Sequence, residues 1–292
     1  MLDTPIALPV PINEPILAYA PGSPERAALK DSLATLSNEC PDVPHVIAGK
    51  PSYEGASFDV TSPHAHAKVV AKAHEAGTEV TQRAISAAMA AAPAWARTPF
   101  AERARVFSRA AELLAGPWRQ VINGATMLGQ SKTAFQAEID SAEQPISTNA
   151  YQDSLELRPL EGFVLAVTPF NFTAIAGNLP SAPAMLGNVV VWKPAESQSL
   201  AAYHTMRLFE AAGLPPGVIN VVYGNGAPVA DACLASRDLA GIHFTGSTRV
   251  FQALWRGVGE RIAQAEADHV TRVAVARHGG ADVGAGLLDA AR

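Results

Sequence analysis

The sequence predicts an α/β fold: a parallel, doubly wound sheet with a mixed helical and β-stranded part in front of it. Two observations support this fold class. From about residue 160 onward, short apolar runs alternate with segments of helical periodicity, which is the pattern of repeated βα units. Two of those runs, residues 163–167 and 188–193, are apolar almost throughout, as expected for strands that are buried on both faces.

The composition is that of an ordinary globular protein and argues against two classes of partner. The chain has 292 residues, of which 48% are hydrophobic and 17% charged, and its formal net charge is -5. This net negative charge indicates no basic surface that would bind nucleic acid or an anionic membrane. No segment is apolar enough to span a bilayer. The first residues do not have the pattern of a signal or transit peptide. We therefore expect a cytoplasmic location, or the mitochondrial matrix if the source is eukaryotic.

Cysteine and histidine usage predicts no metal and no structural disulfide. Cys40 and Cys233 are the two cysteines of the chain, too few for a disulfide framework or a metal-ligand set. His64 and His66 have the spacing of a metal pair, but no third ligand is near them in the sequence. Solvated loop histidines are the more common explanation of such a pair.

Residues 1–42 are predicted to form an N-terminal arm. Six prolines between positions 5 and 24 favour extended structure. Ser23 and Pro24 then give the start signal of a helix, with Ser as the N-cap and Pro at the first helical position.

The part that follows the arm is predicted to be extended at first and then helical. Short extended segments indicate a β-hairpin or a small sheet, and they lie at residues 46–48, 58–60 and 68–72. Apolar residues at helical spacing then predict four helices, at 78–92, 100–114, 117–128 and 131–142.

Beyond residue 160 the βα alternation is regular. After the two apolar strands, it predicts a helix at 199–212, a strand at 218–223, a helix at 228–236 and a strand at 239–244. Residues 245–247 then open a last helix, which is predicted to continue through residue 255. Ligands bind at the carboxyl ends of the strands in open α/β sheets. The loops after these strands are therefore the candidate site.

Polar side chains follow the first two strands of the predicted sheet. Asn171, in the loop after residues 163–167, can donate an amide N–H to an oxyanion. Lys193 and Glu196 come after the next strand, where an ammonium group and a carboxylate can hold the hydroxyls of a ribose.

The loops after the last two strands suit a phosphate-containing ligand. Gly224 and Gly226 allow close approach of the backbone to a ligand, and Ser247 stands at a helix N-terminus, where amides and a hydroxyl can meet a phosphate. The common dinucleotide pattern G-x-G-x-x-G is absent. Taken alone, these features indicate an α/β domain that could bind a nucleotide.

Several motifs, in this order, resemble those of the aldehyde dehydrogenase superfamily. They are Pro-Phe-Asn-Phe at 169–172, Trp-Lys-Pro at 192–194, Gly-Leu-Pro-Pro-Gly-Val-Ile-Asn-Val-Val at 213–222 and Phe-Thr-Gly-Ser at 244–247. The longer stretch 170–188 and Ala-Glu-Ile-Asp at 137–140 are similar to the subgroup of 1-pyrroline-5-carboxylate, or glutamate γ-semialdehyde, dehydrogenases. The similarity runs from about residue 13 to residue 263.

The resemblance implies an aldehyde dehydrogenase-like, Rossmann-type sheet that binds NAD. Residues 43–263 would form the NAD-binding domain, helical to about residue 160. The implied reaction is NAD-dependent oxidation of L-glutamate γ-semialdehyde, a small aldehyde substrate, to L-glutamate in proline catabolism.

The resemblance also assigns roles to the candidate residues. Asn171 matches the oxyanion asparagine, and Lys193 and Glu196 match the contacts to the adenosine ribose, where a carboxylate favours NAD over NADP. Ser247 matches a pyrophosphate contact. The remaining implied coenzyme-binding residues are Thr168, Pro169, Phe170, Gly224, Gly226 and Gly246.

The same resemblance predicts an incomplete catalytic apparatus. Family catalysis uses a cysteine nucleophile and a glutamate general base, and residues 264–292 offer neither motif and look like a divergent tail. Part of the helix that the family has after residue 142 is also missing. We therefore expect a truncated chain that is inactive alone; the alternative is a non-catalytic NAD-binding or inert fragment. Family members are homo-oligomers, an assembly that is doubtful for a truncated chain.

Overall fold

The computed structural model describes residues 15–142, 158–264, 274–277 and 286–287. The first fourteen residues of the predicted arm, the segment directly after residue 142 and most of the predicted tail lie outside these ranges. Within them, the α/β fold class is confirmed. No helix in this described part is both long enough and apolar enough to cross a membrane.

The arm contributes one helix, α1 (Pro24–Glu39), which starts where the sequence predicts. The hydroxyl of Ser23 accepts a hydrogen bond from the amide of Arg26, and Pro24 occupies the first turn. Helix α1 ends at Glu39, and the next residue, Cys40, has a left-handed φ of 38°.

Five strands follow α1, and four of them form two hairpins. They are β1 (Asp42–Val43), β2 (His45–Ile47), β3 (Lys50–Ser52), β4 (Ser57–Ser62) and β5 (Ala65–His74). Strands β4 and β5 pair antiparallel, and β1 lies parallel to β5 in a three-stranded sheet. The small sheet is thus confirmed, but the β2–β3 hairpin belongs to the main sheet instead, because Val46 pairs with Val221 at its edge. An isolated two-stranded hairpin is marginal in water, so joining an existing sheet stabilises it.

Four helices come next: α2 (Thr78–Arg97), α3 (Phe100–Ala115), α4 (Arg119–Gln130) and α5 (Ala134–Ala142). Helix α2 continues five residues past its predicted end and contains Pro93. The reason lies in packing: the buried indole of Trp95 donates a hydrogen bond of 2.8 Å to the carbonyl of Ala184. This tertiary contact outweighs the usual helix-breaking effect of proline.

The rest of the chain builds the main sheet and its helices. In order, the elements are β6 (Phe163–Thr168), α6 (Thr173–Met185), β7 (Val189–Pro194), a 3₁₀ turn (Glu196–Gln198), α7 (Ser199–Ala211), β8 (Ile219–Val221), α8 (Gly226–Ala235), β9 (Leu239–Phe244), α9 (Thr248–Gln264), β10 (Ala274–Arg277) and β11 (Gly286–Leu287). Helix α9 extends nine residues beyond its predicted end.

The main sheet has eight strands within the described residues, in the order β11-β10-β9-β6-β7-β8-β2-β3. Its central five strands, from β10 to β8, are parallel. Four of them were predicted, whereas β10 lies in the segment that was predicted to be a divergent tail. The outer strands β11, β2 and β3 run antiparallel to their neighbours. The interior strands β6 and β7 are almost entirely buried, as their continuous apolar runs require.

The strand order reverses at β6. The chain passes from β6 to β7 and β8 in one direction and then returns to place β9 on the other side of β6. Because such crossovers are right-handed, α6 and α7 cover one face of the sheet and α8 covers the opposite face, beside α2. A crevice therefore opens at the carboxyl ends of β6 and β9, which is where open α/β sheets bind ligands.

Candidate functional site at the carboxyl edge of the sheet

The parallel register brings the predicted residues to one edge of the sheet. Thr168, the last residue of β6, pairs with Pro194 in β7, and Val167 pairs with Phe244 at the end of β9. The loops that carry Asn171, Lys193–Glu196, Gly224–Gly226 and Gly246–Ser247 therefore all leave from this edge, which we call the carboxyl edge.

The loop between β6 and α6 presents an exposed amide. Asn171 is exposed, and Phe170 beside it has 63% of its surface exposed. Thr168 points inward: its side-chain oxygen accepts a hydrogen bond of 3.0 Å from the indole of Trp192 in β7. Thr168 and the buried Pro169 thus anchor the loop, while Phe170 and Asn171 face solvent.

The start of α6 is held by a carboxylate that the sequence prediction did not include. The N-cap residue Phe172 offers no capping side chain. Asp140 of α5 supplies one, because its Oδ2 accepts the amide of Thr173 at 3.2 Å. The same oxygen is 2.8 Å from Nζ of Lys132, which also lies over the ring of Phe172 at 4.4 Å. The base of the Asn171 loop is therefore fixed by a buried ion pair.

Lys193 and Glu196 form a pair at the end of β7. Nζ of Lys193 lies 3.3 Å from Oε1 of Glu196; the lysine side chain is 6% exposed and the glutamate side chain 49%. Burial lowers the pKa of Lys193, and the nearby carboxylates of Glu196 and Glu75 oppose that shift. An ammonium group donates and a half-exposed carboxylate accepts, so the pair can hold neighbouring hydroxyl groups of a sugar.

The turn between β8 and α8 is tight because Gly224 adopts a φ of +100°. A Cβ at Gly226 would lie 3.6 Å from Nζ of Lys193, so this turn and the lysine are in contact distance. The side chain of Asn225 caps α8 by accepting the amide of Ala227 at 3.0 Å. Glu75, which precedes α2, accepts the amide of Asn225 at 2.7 Å, a contact that the sequence prediction missed.

The loop between β9 and α9 exposes a helix N-terminus. Gly246, Ser247 and the first residues of α9 are exposed. A Cβ at Gly246 would lie 2.7 Å from Cζ of Phe244, so this position has little room for a side chain. The hydroxyl of Ser247 accepts the amide of Val250 at 3.3 Å and so caps the helix. An exposed helix start of this kind can bind an anionic group.

The cysteines and the histidine pair lie outside this edge. Cys233 is buried inside α8, and burial raises the pKa of its thiol to about 12. Cys40 follows α1 and precedes β1. Nδ1 of His64 lies 2.9 Å from the hydroxyl of Ser131. The described ranges hold no group of three or more histidine, cysteine or acidic side chains that could bind a metal.

The fold and the residues at its carboxyl edge are typical of α/β proteins with a doubly wound parallel sheet. Its carboxyl edge combines a lysine–carboxylate pair, a glycine turn against that lysine and an exposed helix start. These groups fit a ligand that carries both ribose hydroxyls and phosphates.

Comparison with known proteins identifies the family. The model of the aldehyde dehydrogenase family matches residues 51–283. This chain therefore belongs to the aldehyde dehydrogenase family.

The individual proteins to which this chain is similar have more specific names than the family. The Delta-1-pyrroline-5-carboxylate dehydrogenase of Agaricus bisporus is 41% identical, over 87% of this chain and 50% of that protein. The mitochondrial Delta-1-pyrroline-5-carboxylate dehydrogenase of Mus musculus is 43% identical, over 86% of this chain and 48% of that protein. The chain thus spans about half the length of these relatives.

A solved structure superposes on this fold. The crystal structure of the Delta-pyrroline-5-carboxylate dehydrogenase of Mycobacterium tuberculosis bound with NAD superposes with a TM-score of 0.86 at 49% identity. The match covers 95% of this chain and 55% of that protein. The aldehyde dehydrogenase-like fold is thereby confirmed.

Proposed function

We propose that this chain binds NAD at the carboxyl edge and contributes to the oxidation of L-glutamate γ-semialdehyde to L-glutamate. The pair of Lys193 and Glu196 carries this proposal, because it places a donor and an acceptor for ribose hydroxyls 3.3 Å apart beside the Gly226 turn. The names of the relatives support the reaction, and the NAD-bound structure of one of them supports the coenzyme.

In this proposal each loop has one task. Lys193 and Glu196 hold the adenosine ribose, and the turn at Gly224 and Gly226 lets the coenzyme approach the backbone. Gly246 and Ser247, at the exposed start of α9, face the pyrophosphate. Phe170, with the anchored Thr168 and Pro169, borders the crevice. NAD supplies the hydride acceptor.

Asn171 is proposed to stabilise the negative oxygen that forms when a nucleophile adds to the aldehyde. Its exposed amide stands in the loop that Asp140 and Thr168 hold in place. Removing one such donor from an oxyanion site costs about 3 kcal/mol of transition-state stabilisation.

Neither of the two cysteines fits the role of the nucleophile in this reaction. Catalysis needs a thiolate, and the buried thiol of Cys233, with a pKa raised to about 12, stays protonated at neutral pH. Cys40 belongs to none of the loops of the carboxyl edge, since it stands between α1 and β1. We therefore expect NAD binding without turnover from the 292-residue chain.

Titration calorimetry with NAD tests the binding, and the absorbance of NADH in the presence of the semialdehyde tests turnover. Lys193→Met removes the charge and keeps most of the stem, and it should weaken NAD binding about tenfold, the value of one hydrogen bond to a charged group. Lys30→Met, on the exposed face of α1, is the matched control and should bind NAD like the wild type. A wild-type chain without saturable NAD binding would refute the proposal in favour of an inert chain, and measurable turnover would contradict the expected lack of a nucleophile.

The unit that binds NAD is proposed to be residues 43–263, with residues 1–42 as an N-terminal arm and residues 264–292 as a divergent tail. The remaining proposals are a small aldehyde substrate and a cytoplasmic location.

A further inference from the structure

Glu75 lies at the carboxyl edge although it belongs to a distant part of the chain. It follows the end of β5 and is partly buried. Its Oε2 accepts the amide of Asn225 at 2.7 Å, and the carbonyl of Tyr223 accepts the amide of the next residue, Ala76, at 2.9 Å. Two hydrogen bonds therefore fix the Glu75 carboxylate against the turn between β8 and α8.

The same turn contacts Lys193 from its other end. A Cβ at Gly226 would lie 3.6 Å from Nζ of Lys193, and Gly226 is the residue directly after Asn225. Consecutive Cα atoms are about 3.8 Å apart, so the carboxylate of Glu75 and the ammonium of Lys193 flank adjacent residues. Since Glu196 lies 3.3 Å from the same ammonium, two carboxylates border this lysine. Both oppose the effect of burial on its pKa.

We propose that Glu75 is a specificity-determining residue, which disfavours a 2′-phosphate on the coenzyme ribose and so selects NAD over NADP. The inference rests on the proposed function, in which Lys193 and Glu196 hold that ribose. A single lysine between two carboxylates leaves no net positive charge to receive a phosphate dianion. Glu75 also occupies the amide of Asn225, a donor that a phosphate could otherwise use.

The neutral isostere Glu75→Gln separates charge from shape. The glutamine oxygen can still accept the amide of Asn225, so the turn keeps its hydrogen bond while the local negative charge is lost. Glu79→Gln is the matched control: Glu79 is exposed in the first turn of α2, four residues further along the chain. Both variants change the net charge of the protein equally.

Calorimetric titration of wild type and both variants with NAD and with NADP tests the inference. In Glu75→Gln we expect NADP to bind roughly tenfold more tightly, with the affinity for NAD changed less than about threefold, since one charge next to a dianion is removed. The gain should shrink at high salt, because screening weakens the original repulsion. Glu79→Gln should leave the ratio of the two dissociation constants at the wild-type value.

Three outcomes would overturn the inference. The ratio of the dissociation constants could stay unchanged in Glu75→Gln, or shift equally in Glu79→Gln, while NAD still binds; either result rejects the role of Glu75 and leaves the proposed function standing. Failure of the wild-type chain to bind either nucleotide would reject the proposed function and this inference together. Circular dichroism monitors folding. If Glu75→Gln does not fold, Glu75→Asp replaces it, because this substitution moves the carboxylate back by one methylene. Tighter NADP binding is again expected. An unchanged ratio of the two dissociation constants would again reject the role of Glu75.

Discussion

Two buried histidines make stability depend on pH. Nδ1 of His45 accepts the amide of Tyr223 at 3.1 Å, and its Nε2 lies 3.2 Å from the carbonyl of Glu54, so Nε2 carries the proton of a neutral ring. Burial lowers the pKa of His45 to about 4. Burial, with a smaller effect of Arg207, lowers the pKa of His204 to about 4 as well.

We expect the free energy of unfolding to fall as the pH drops from about 6.5 toward 4. An unfolded histidine has a pKa of about 6.5, so between these values the unfolded chain binds more protons and stability rises with pH. The stabilising effect of the neutral rings is complete above about pH 6.5. It is lost on acidification, at an upper bound of about 3 kcal/mol for each histidine. Urea unfolding at a series of pH values measures this slope.

A substitution isolates one of the two histidines. Nε2 of His204 is buried and has no hydrogen-bond partner among the residues that the structure describes, so His204→Leu breaks no hydrogen bond at that atom. The substitution should reduce by one the number of protons that the unfolded state binds in excess of the native state. The slope of the free energy of unfolding against pH should fall accordingly. The exposed His66 provides the control, since His66→Leu should keep the wild-type slope. Equal slopes in His204→Leu and wild type would contradict the assignment.

At the scale of residues, sequence reasoning could place the candidate site only in part. Asn171, Lys193 and Glu196 could be found because each lies at the end of a strand with a clear apolar pattern or within three residues after it. Glu75 could not, because its partner Asn225 is 150 positions away and no local motif marks the contact. The functional assignments themselves came from the family resemblance and remain predictions.

Among the elements, helix α5 contacts both the N-terminal arm and the start of α6. Glu138 faces the arm, where it accepts the amide of Leu17 at 2.7 Å and the hydroxyl of Tyr19 at 2.8 Å. Burial alone would raise the pKa of Glu138, but its ion pair with Arg119 and these hydrogen bonds lower it overall. Asp140, two residues on, instead caps α6. One short helix therefore connects the packing of the arm to the base of the Asn171 loop.

We expect Asp140→Asn to destabilise the protein and to loosen the start of α6. The substitution leaves the ammonium of Lys132 without its carboxylate in a site where the lysine side chain is only 16% exposed. Breaking a buried ion pair by removing one partner costs about 3–5 kcal/mol, and the lost carboxylate also favoured the helix N-terminus. Chemical denaturation measures the stability, and hydrogen exchange of the amides at 173–176 measures the loosening.

Asp31→Asn is the control for this change. Asp31 is exposed on α1, and an exposed substitution of this kind should stay within about 0.5 kcal/mol of the wild type. If Asp140→Asn were as stable as Asp31→Asn and its 173–176 amides exchanged at the wild-type rate, Asp140 would not position this loop.

The elements were predictable wherever local signals agreed with packing. Strands β6, β7 and β9 fall within a residue or so of their predicted ranges, because their apolar runs are bounded by turn residues. The end of α2 was not predictable in this way, because the buried Trp95 packs beyond the predicted end at residue 92 and the helix continues through Pro93 to Arg97. The pairing of Val46 with Val221 could not be predicted from the sequence either, because pairing between distant strands at a sheet edge produces no periodic pattern of residues.

For the whole molecule, the carboxyl edge is the proposed binding site, and it carries exposed apolar side chains. Phe170 in the loop after β6 is 63% exposed, and Val250 in the first turn of α9 is 41% exposed. The chain spans about half the length of its relatives. The loops at this edge come from four separate strands and meet only in the folded sheet. A ligand that binds across them therefore binds the native state and not the unfolded chain.

NAD should raise the melting temperature of the whole chain by linkage. At a free concentration one hundred times its dissociation constant, a ligand that binds only the native state adds about 2.7 kcal/mol to the free energy of unfolding. For a chain of this size, that corresponds to a shift of roughly 4 °C. Differential scanning calorimetry over a series of NAD concentrations measures it, and the shift should grow with the logarithm of the concentration.

In Lys193→Met, tenfold weaker binding should reduce the stabilisation by about 1.4 kcal/mol at saturating NAD, whereas Lys30→Met should show the wild-type shift. A melting temperature that is independent of NAD in the wild type would mean that the carboxyl edge, although assembled, does not bind the coenzyme.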